Sequence, residues 1–182
     1  MLEGTSRDSR GYRDDSARQA ELGCIGRRYG LKEDIPPLEK ARRQAFRLLS
    51  LRARSESEIR GRLKEKYGAQ IAEDVTQYLK GTGLLNDDAF ARERARHLAV
   101  NRVRGNRAIE ADLLRKGIDR TLIFEAIQAA REELSEAAAI RTLLEKRKPS
   151  LSSTKRAWRE KTGRYLLSKG FPAGVICEIL NE

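Results

Sequence analysis

The phrase LLRKGI at residues 113–118 returns as LLSKGF at residues 166–171, and this repetition constrains the fold more than any other feature of the chain. Two leucines followed by a glycine and a further apolar residue are typical of a helix that ends at a glycine with positive φ. Asp119 and Pro172 then stand where the next helix begins. A degenerate copy, RLKEKYG, ends at Gly68. We therefore interpret the phrase as a joint between two helices.

A second marker shows that these joints belong to a longer repeat. The helix before each joint carries the same apolar spacing followed by an arginine, at Ala45, Leu48, Leu49 and Arg52, at Ala95, Leu98, Ala99 and Arg102, and at Ile140, Leu143, Leu144 and Arg147. Copies one and two are 50 residues apart at both markers, whereas copy three has eight extra residues, which fall on KRKPSLSS. Proline and three serines mark that stretch as a loop. Each unit of about fifty residues therefore holds three helices.

Local signals place the ends of several helices. Ser55 and Glu58 form a capping box before the second helix, and Gly81 and Gly83 end the third. Asn86 or Asp87 then starts the next unit, whereas the helix from about Thr121 meets no breaker and is expected to run directly into the third unit. No run alternates with the period of a strand. We predict an all-α fold, an elongated array of three tandem three-helix repeats with about nine helices.

The predicted organisation has four parts: an extension at residues 1–36 and repeats at 37–86, 87–134 and 135–182. The extension carries seven positive and seven negative side chains among scattered apolar residues and ends at two prolines, so we expect it to be poorly ordered. No segment approaches the roughly 18 uninterrupted apolar residues of a membrane span, and the N-terminus lacks the continuous apolar run that a signal peptide has. Two distant cysteines, Cys24 and Cys177, match no redox or metal spacing. These features predict a cytoplasmic protein.

The sequence offers little to an enzyme. It has no glycine-rich phosphate loop and no cluster of ligand side chains at metal spacing, so we expect neither a cofactor nor a metal. The single histidine, His97, lies among arginines, which favours a solvated or pairing role over catalysis. Cys177 lies in the apolar run GVICEIL and is expected in the core.

Charge is distributed unevenly among the helices, and this is the stronger functional signal. The chain has a net charge of +11, and the balance is +7 at residues 40–66, +5 at 90–107 and +8 at 146–169, but −3 at both 73–88 and 119–145. The first two helices of each repeat thus form a basic side. Such a side suits a phosphate backbone or the acidic groove of a protein filament. The alternative is that these are only solvated faces.

Four stretches in this order, ARRQAFRLLSLRARSESEIRGRL, GLLNDDAFARERARHL, GNRAIEADLLRKGID and GRYLLSKGF, resemble the RecX family of bacterial recombination regulators. The resemblance covers residues 38–182 and leaves out the extension. Family members usually have an aromatic residue before the glycine of the second unit, where this chain has Arg104 before Gly105.

The resemblance implies a non-enzymatic regulator of DNA repair, recombination and the SOS response. It implies binding to the RecA recombinase filament on single-stranded DNA and inhibition of the recombinase's ATPase, strand-exchange and co-protease activities. We expect a monomer with no membrane contact. The basic residues expected to contact the filament or its DNA are Arg52, Arg102, Arg104, Arg107, Arg147, Lys155, Arg156 and Arg159.

A different function remains open at this point. The helix-turn-helix joints are also compatible with a direct, sequence-selective DNA-binding regulator that places a helix in the major groove. Such a protein would bind duplex DNA tightly at moderate salt, whereas phosphate contacts alone give weak and steeply salt-dependent binding.

Overall fold

The computed structural model describes residues 35–146 and 154–181, and within these ranges the chain forms nine α-helices and no strand. The first repeat contains α1 (Pro37–Leu51), α2 (Glu56–Tyr67) and α3 (Ala69–Gly81). The second contains α4 (Asp87–Arg96), α5 (Asn106–Arg115) and α6 (Arg120–Glu133). The third contains α7 (Glu136–Glu145), α8 (Lys155–Ser168) and α9 (Ala173–Asn181). The prediction of an all-α chain with three three-helix repeats is confirmed, while the expected extension lies, up to residue 34, outside the described residues.

Each repeat has a hydrophobic core of its own, to which all three helices contribute. The first helices of the first two repeats present alanines at four-residue spacing, Ala41 and Ala45 in one and Ala91 and Ala95 in the other, and these are fully buried. Residues four apart lie on one face of a helix, so small side chains there let the helix axes approach closely. Larger residues from the second and third helices, such as Leu63 and Leu79, fill the remaining space.

The repeated phrase forms the joint that its composition predicts. Gly117 has φ +74° and Gly170 has φ +89°, a conformation that only glycine adopts without strain. The amide of Ile118 donates to the carbonyl of Leu113, and the amide of Phe171 donates to that of Leu166, each at 3.2 Å. These bonds close the helix ends, and the apolar residue after each glycine becomes buried.

Each joint also docks onto the preceding repeat, which explains why the phrase occurs twice. Ser55, the N-cap of α2, donates its hydroxyl to the carbonyl of Lys116 at 2.6 Å. At the equivalent place, 50 residues on, the amide of Gly105 donates to the carbonyl of Lys169 at 3.0 Å. The joint of one repeat therefore lies against the start of the second helix of the repeat before it.

An acidic residue completes both of these contacts. Asp87, at the start of α4, accepts a hydrogen bond from the amide of Glu56 at 2.9 Å. Glu136, at the start of α7, accepts one from the amide of Asn106 at 2.8 Å. In each case a carboxylate of one repeat binds a free amide at the helix N-terminus of the previous repeat, where the helix dipole favours negative charge. We call these two contact regions the first junction, at residues 52–58 with Asp87 and Lys116–Gly117, and the second junction, at residues 102–108 with Glu136 and Lys169–Gly170.

Two expectations from the sequence are wrong. The helix from Arg120 does not run into the third repeat, because Leu134 takes an extended conformation and its side chain packs on the third core. Ser135 then caps α7 through the amide of Ala138. Cys177 is exposed rather than buried, since Ile176 and Ile179 take the core-facing positions of α9.

The end of the first helix in the second repeat departs from regular α geometry. Residues His97–Asn101 form a π-helical turn, and Val103 follows with φ +47°. A β-branched residue resists positive φ, so the backbone is strained there. The segment that carries Arg102 and Arg104 is thus held in an unusual conformation.

Candidate basic interface at the repeat junctions

The basic residues singled out from the sequence fall into three groups. Arg52 lies at the first junction, and Arg102, Arg104 and Arg107 lie at the second. The first turns of α8 carry Lys155, Arg156 and Arg159. Arg147 lies outside the described residues. The structure therefore brings three of these residues together and separates them from the others.

Arg52 shares a carboxylate with a lysine from the next repeat. Its Nη2 lies 2.8 Å from Oε1 of Glu58, and Nζ of Lys116 lies 2.7 Å from the same oxygen. Burial raises the pKa of Glu58, but the hydrogen bonds from Arg52 and Lys116 outweigh it and lower that pKa to about 2. Arg52 thus helps to hold two repeats together, although 48% of its side chain remains exposed.

The second junction concentrates arginines within six residues. Arg102 and Arg107 are exposed and Arg104 is half-buried. The amide of Arg107 donates to the carbonyl of Gly170 at 3.2 Å, beside the bond from Gly105 to Lys169. Lys169 of the third repeat therefore meets this region through its backbone, while its Nζ lies 5.3 Å from the centre of the Tyr165 ring.

The three arginine side chains of the second junction have no acidic partner in the part of the chain that the structure describes. Most arginines elsewhere in the second repeat are paired: Nε of Arg94 lies 2.8 Å from Asp112, and Nε of Arg96 lies 2.7 Å from Glu133. A guanidinium without an internal partner can bind a phosphate or a carboxylate through two parallel hydrogen bonds. The second junction is therefore the part of the predicted basic side that is best prepared to bind an anion.

Arg131, which the sequence analysis did not single out, holds this region in place. It donates to the carbonyl of Arg104 at 2.6 Å, to Oδ1 of Asn106 at 2.7 Å and to the carbonyl of Leu134 at 3.1 Å. Burial lowers its pKa from the usual value, with Glu136 acting in the opposite direction. The only sequence signal is a lone basic residue at the end of an acidic helix, which also fits a plain interaction with the helix dipole.

The acidic third helices neutralise part of the basic side. Arg60 of α2 pairs with Glu73 of α3 at 2.9 Å, and Arg92 of α4 reaches Glu125 of α6 at 3.5 Å. Charge counted along the sequence therefore overstates the charge that is free to act on a partner. The cations that have no acidic partner are therefore a better guide to a binding surface than the net charge of a helix.

The third group, at the start of α8, lies apart from the second junction. Thr154 caps the helix through the amide of Ala157, and Lys155 is exposed. Arg156 pairs with Glu160 at 3.2 Å, and Arg159 lines a shallow apolar groove with Leu167 and Leu180. Lys155 and Lys169 are 14 residues apart on a helix that rises about 1.5 Å per residue, so roughly 20 Å separates this group from the second junction.

The described residues offer no arrangement for metal-dependent chemistry, since no three His, Cys, Asp or Glu side chains among them are placed to share an ion. Nδ2 of Asn101 donates to Nδ1 of His97, 3.2 Å away, which is a pairing role. Over the same part of the chain, no helix combines the length and the apolar character that crossing a membrane demands.

Comparison with known proteins gives the same family for all three repeats. Family models for the first, second and third three-helix domains of RecX match residues 41–79, 86–127 and 135–180. The regulatory protein RecX of Corynebacterium efficiens is 30% identical over 93% of this chain and 83% of its own length. The regulatory protein RecX of Mycobacterium leprae is 32% identical over 78% of this chain and 84% of its own.

Solved structures show the same fold. The crystal structure of RecX from Lactobacillus salivarius superposes with a TM-score of 0.69 at 24% identity, covering 80% of this chain and 95% of that one. A second crystal structure, of a regulatory protein RecX, gives a TM-score of 0.71 at 24% identity and covers 100% of this chain and 83% of that one.

Proposed function

The chain belongs to the RecX family of regulatory proteins, and we propose that it binds the RecA filament on single-stranded DNA and inhibits the recombinase. The inhibited activities would be ATP hydrolysis, strand exchange and co-protease activity. The protein would act by binding, without chemistry of its own and without a cofactor, in the cytoplasm and as a monomer. The units of this function are residues 37–86, 87–134 and 135–182, in each of which the first two helices and the loop between them would form the basic side.

The observation that carries this proposal is the group of Arg102, Arg104 and Arg107 at the second junction. Their guanidinium groups have no acidic partner among the described residues, while neighbouring arginines are paired. A filament of protein on DNA offers carboxylates and phosphates, and arginine forks bind both. Arg131 and the joint at Gly170 hold the segment in one conformation, which lowers the entropic cost of binding.

The other basic groups would extend the same interface. Arg52 keeps part of its side chain exposed at the first junction, and Lys155, Arg156 and Arg159 lie in the first turns of α8. Arg147, outside the described residues, would be a further contact. Contacts at separate places along one polymer add through effective concentration, so individually weak sites can give tight binding overall.

A direct, sequence-selective DNA-binding function has less support. A helix-turn-helix reader must offer the N-terminal part of its second helix to the major groove. Here the joints at Gly117 and Gly170 are occupied by contacts with the preceding repeat. A duplex could not reach the joint side of these helices without separating the repeats.

The test is ATP hydrolysis by the cognate recombinase on single-stranded DNA, measured with increasing amounts of this protein. We expect hydrolysis to fall at amounts comparable to the recombinase or below. The measurement is repeated with single-stranded DNA in large excess, because simple sequestration of DNA would then cause no inhibition. Unchanged hydrolysis at an excess of the protein, or inhibition that disappears with excess DNA, would contradict the proposal.

A further inference from the structure

A second basic surface, distinct from the junction arginines, lies on the first repeat. A groove with a volume of about 750 Å³ runs between α1 and the end of α2. Its polar lining consists of Lys40, Arg43, Gln44, Arg47 and Lys66, with no carboxylate among the lining residues. We call it the outer groove.

The same groove exists in the second repeat, where its occupant can be seen. Each of the five polar residues of the outer groove has a counterpart 50 positions later that lines a cavity in the second repeat. These counterparts are Phe90, Glu93, Arg94, His97 and Lys116. The two remaining lining residues, Arg52 and Ala53, belong to the loop that follows α1. A polypeptide loop of the first repeat thus lies in the groove of the second, and the volume left is about 280 Å³.

Among the described residues, the outer groove is lined only by α1 and α2, and no loop of another repeat contributes to it. We propose that the outer groove binds an acidic polypeptide segment of a partner protein. The groove of the second repeat shows that this geometry accepts an extended stretch of protein backbone. Where the second repeat has Glu93 and Arg94, the first has Arg43 and Gln44, so the lining of the outer groove contains no acid. Arg43 is itself paired along α1, with its Nε 3.2 Å from Glu39, which leaves Arg47 as the arginine of the groove without an acidic contact among the described residues.

The apolar part of the outer groove gives the segment an anchor. Leu51 is 72% exposed at the C-terminal end of α1, and Leu48 lies one turn before it on the same side. An exposed leucine next to a row of cations favours a ligand that carries both acidic and apolar side chains. From Lys40 to Leu51 the helix rises about 17 Å, a length that about five residues of extended chain span.

The floor of the outer groove argues against single-stranded nucleic acid as the ligand. Tyr67 is the only aromatic residue in the lining, and non-specific nucleic-acid grooves use exposed rings on which bases stack. Nζ of Lys66 lies 5.4 Å from the centre of the Tyr67 ring, and the Tyr67 hydroxyl donates to Gln44 at 3.0 Å. One face of the ring is therefore covered and its edge is fixed.

The test measures, by fluorescence anisotropy, the binding of synthetic peptides of about eight residues to the full chain. One peptide contains aspartate, glutamate and a single leucine, and its partner replaces every acid by the amide. We expect the acidic peptide to bind and the amide peptide to bind about tenfold more weakly or not at all. Replacing the leucine by asparagine should weaken binding several-fold to the native protein but not to a Leu51→Ser variant.

Charge-reversal variants locate the binding. The double variant Arg43→Glu with Arg47→Glu should weaken acidic-peptide binding by about tenfold or more. The matched control is Arg62→Glu with Lys64→Glu, two exposed cations of α2 outside the outer groove, and it should stay within about twofold. Circular dichroism checks that both variants fold. An acidic peptide with a cross-linking group should attach at Leu51 or Tyr67, which gives independent evidence for the position of the binding site.

Three results would overturn the proposal. The first is no binding of the acidic peptide to the native chain, and the second is an equal loss in both double variants. The third is displacement of the peptide by an oligonucleotide, together with weaker binding of that oligonucleotide to the Arg43→Glu, Arg47→Glu variant than to the native chain. This result would assign the outer groove to nucleic acid. None of these readouts involves the recombinase, so they leave the proposed function untouched.

Discussion

Gly117 in the second repeat lies directly against Ser57 in the first, with no room for a side chain between them. A Cβ at position 117 would stand 2.5 Å from Oγ of Ser57, closer than real Cβ contacts allow. Gly170 has the same relationship to Ala108 of the second repeat, also at 2.5 Å. The glycine of each joint therefore has two tasks: it ends a helix at positive φ, and it lets one repeat approach the next.

Replacing Gly117 by valine should destabilise the fold by ~2 kcal/mol or more, because valine resists positive φ and its side chain would collide with Ser57. Urea denaturation followed by circular dichroism measures this. Gly81→Ala is the matched control, since Gly81 has open space around it and no positive φ, and it should be neutral or slightly stabilising. Equal effects of the two substitutions would show that the joint contact is unimportant.

Replacing Arg102, Arg104 and Arg107 together by alanine should weaken inhibition of the recombinase by about tenfold or more, while stability changes little. The reason is that these side chains contact no described acid, so their loss breaks no ion pair there. Inhibition of ATP hydrolysis and a thermal melt measure the two effects. The control removes three exposed arginines elsewhere, Arg62, Arg115 and Arg120. A large loss of stability in the first variant would make its arginines structural.

Arg131→Lys should lower the free energy of unfolding by roughly 2 kcal/mol, although the charge is kept. Lysine cannot reach the carbonyls of Arg104 and Leu134 and the amide oxygen of Asn106 together, because it lacks the planar fork. Hydrogen exchange of the Gly105 amide should also accelerate as the second junction loosens. Arg120→Lys, on an exposed residue of the same helix, should leave both measurements unchanged; a matching effect there would contradict the assigned role of Arg131.

Glu58 should make stability depend on pH in the acidic range. Its pKa in the folded protein is about 2, against about 4.3 for an unperturbed glutamate. A depressed pKa means that the folded state prefers the charged form, so the stabilisation is full above the unfolded value and disappears as pH falls through about 2. Glu58→Gln should cost about 2 kcal/mol at neutral pH. The difference from the native protein should then shrink below about pH 4; a difference that stays constant down to pH 2 would refute this account.

Most of the helical architecture could be predicted because it depends on neighbours in the sequence. The capping box at Ser55 and Glu58 is present, Asn86 caps α4, and Gly117 and Gly170 have the positive φ expected of them. Each of these features is satisfied within about six residues, so a short window of sequence contains all the interacting groups. The expectation that the helix continues through Leu134 is wrong, and the residue instead takes an extended conformation and packs on the third core, a contact that no short window of sequence contains.

The candidate interface was only partly predictable. Basic helices were evident from the sequence, but the pairing of Arg96 with Glu133 and of Arg94 with Asp112 was not. Nor did any local signal distinguish Arg131 as an anchor of the second junction.

By itself, the amino-acid sequence determined the helices, their caps and the repeat of about fifty residues, because hydrogen bonds within a few residues and one apolar stripe per helix specify them. Only the tertiary structure decided which charges are neutralised and how one repeat is joined to the next. The contact between Ser55 and Lys116 spans 61 residues, and it requires the helices of both the first and the second repeat to be packed on their cores. An arginine left without a partner is therefore a property of the assembled array and not of the residues that surround it in the chain.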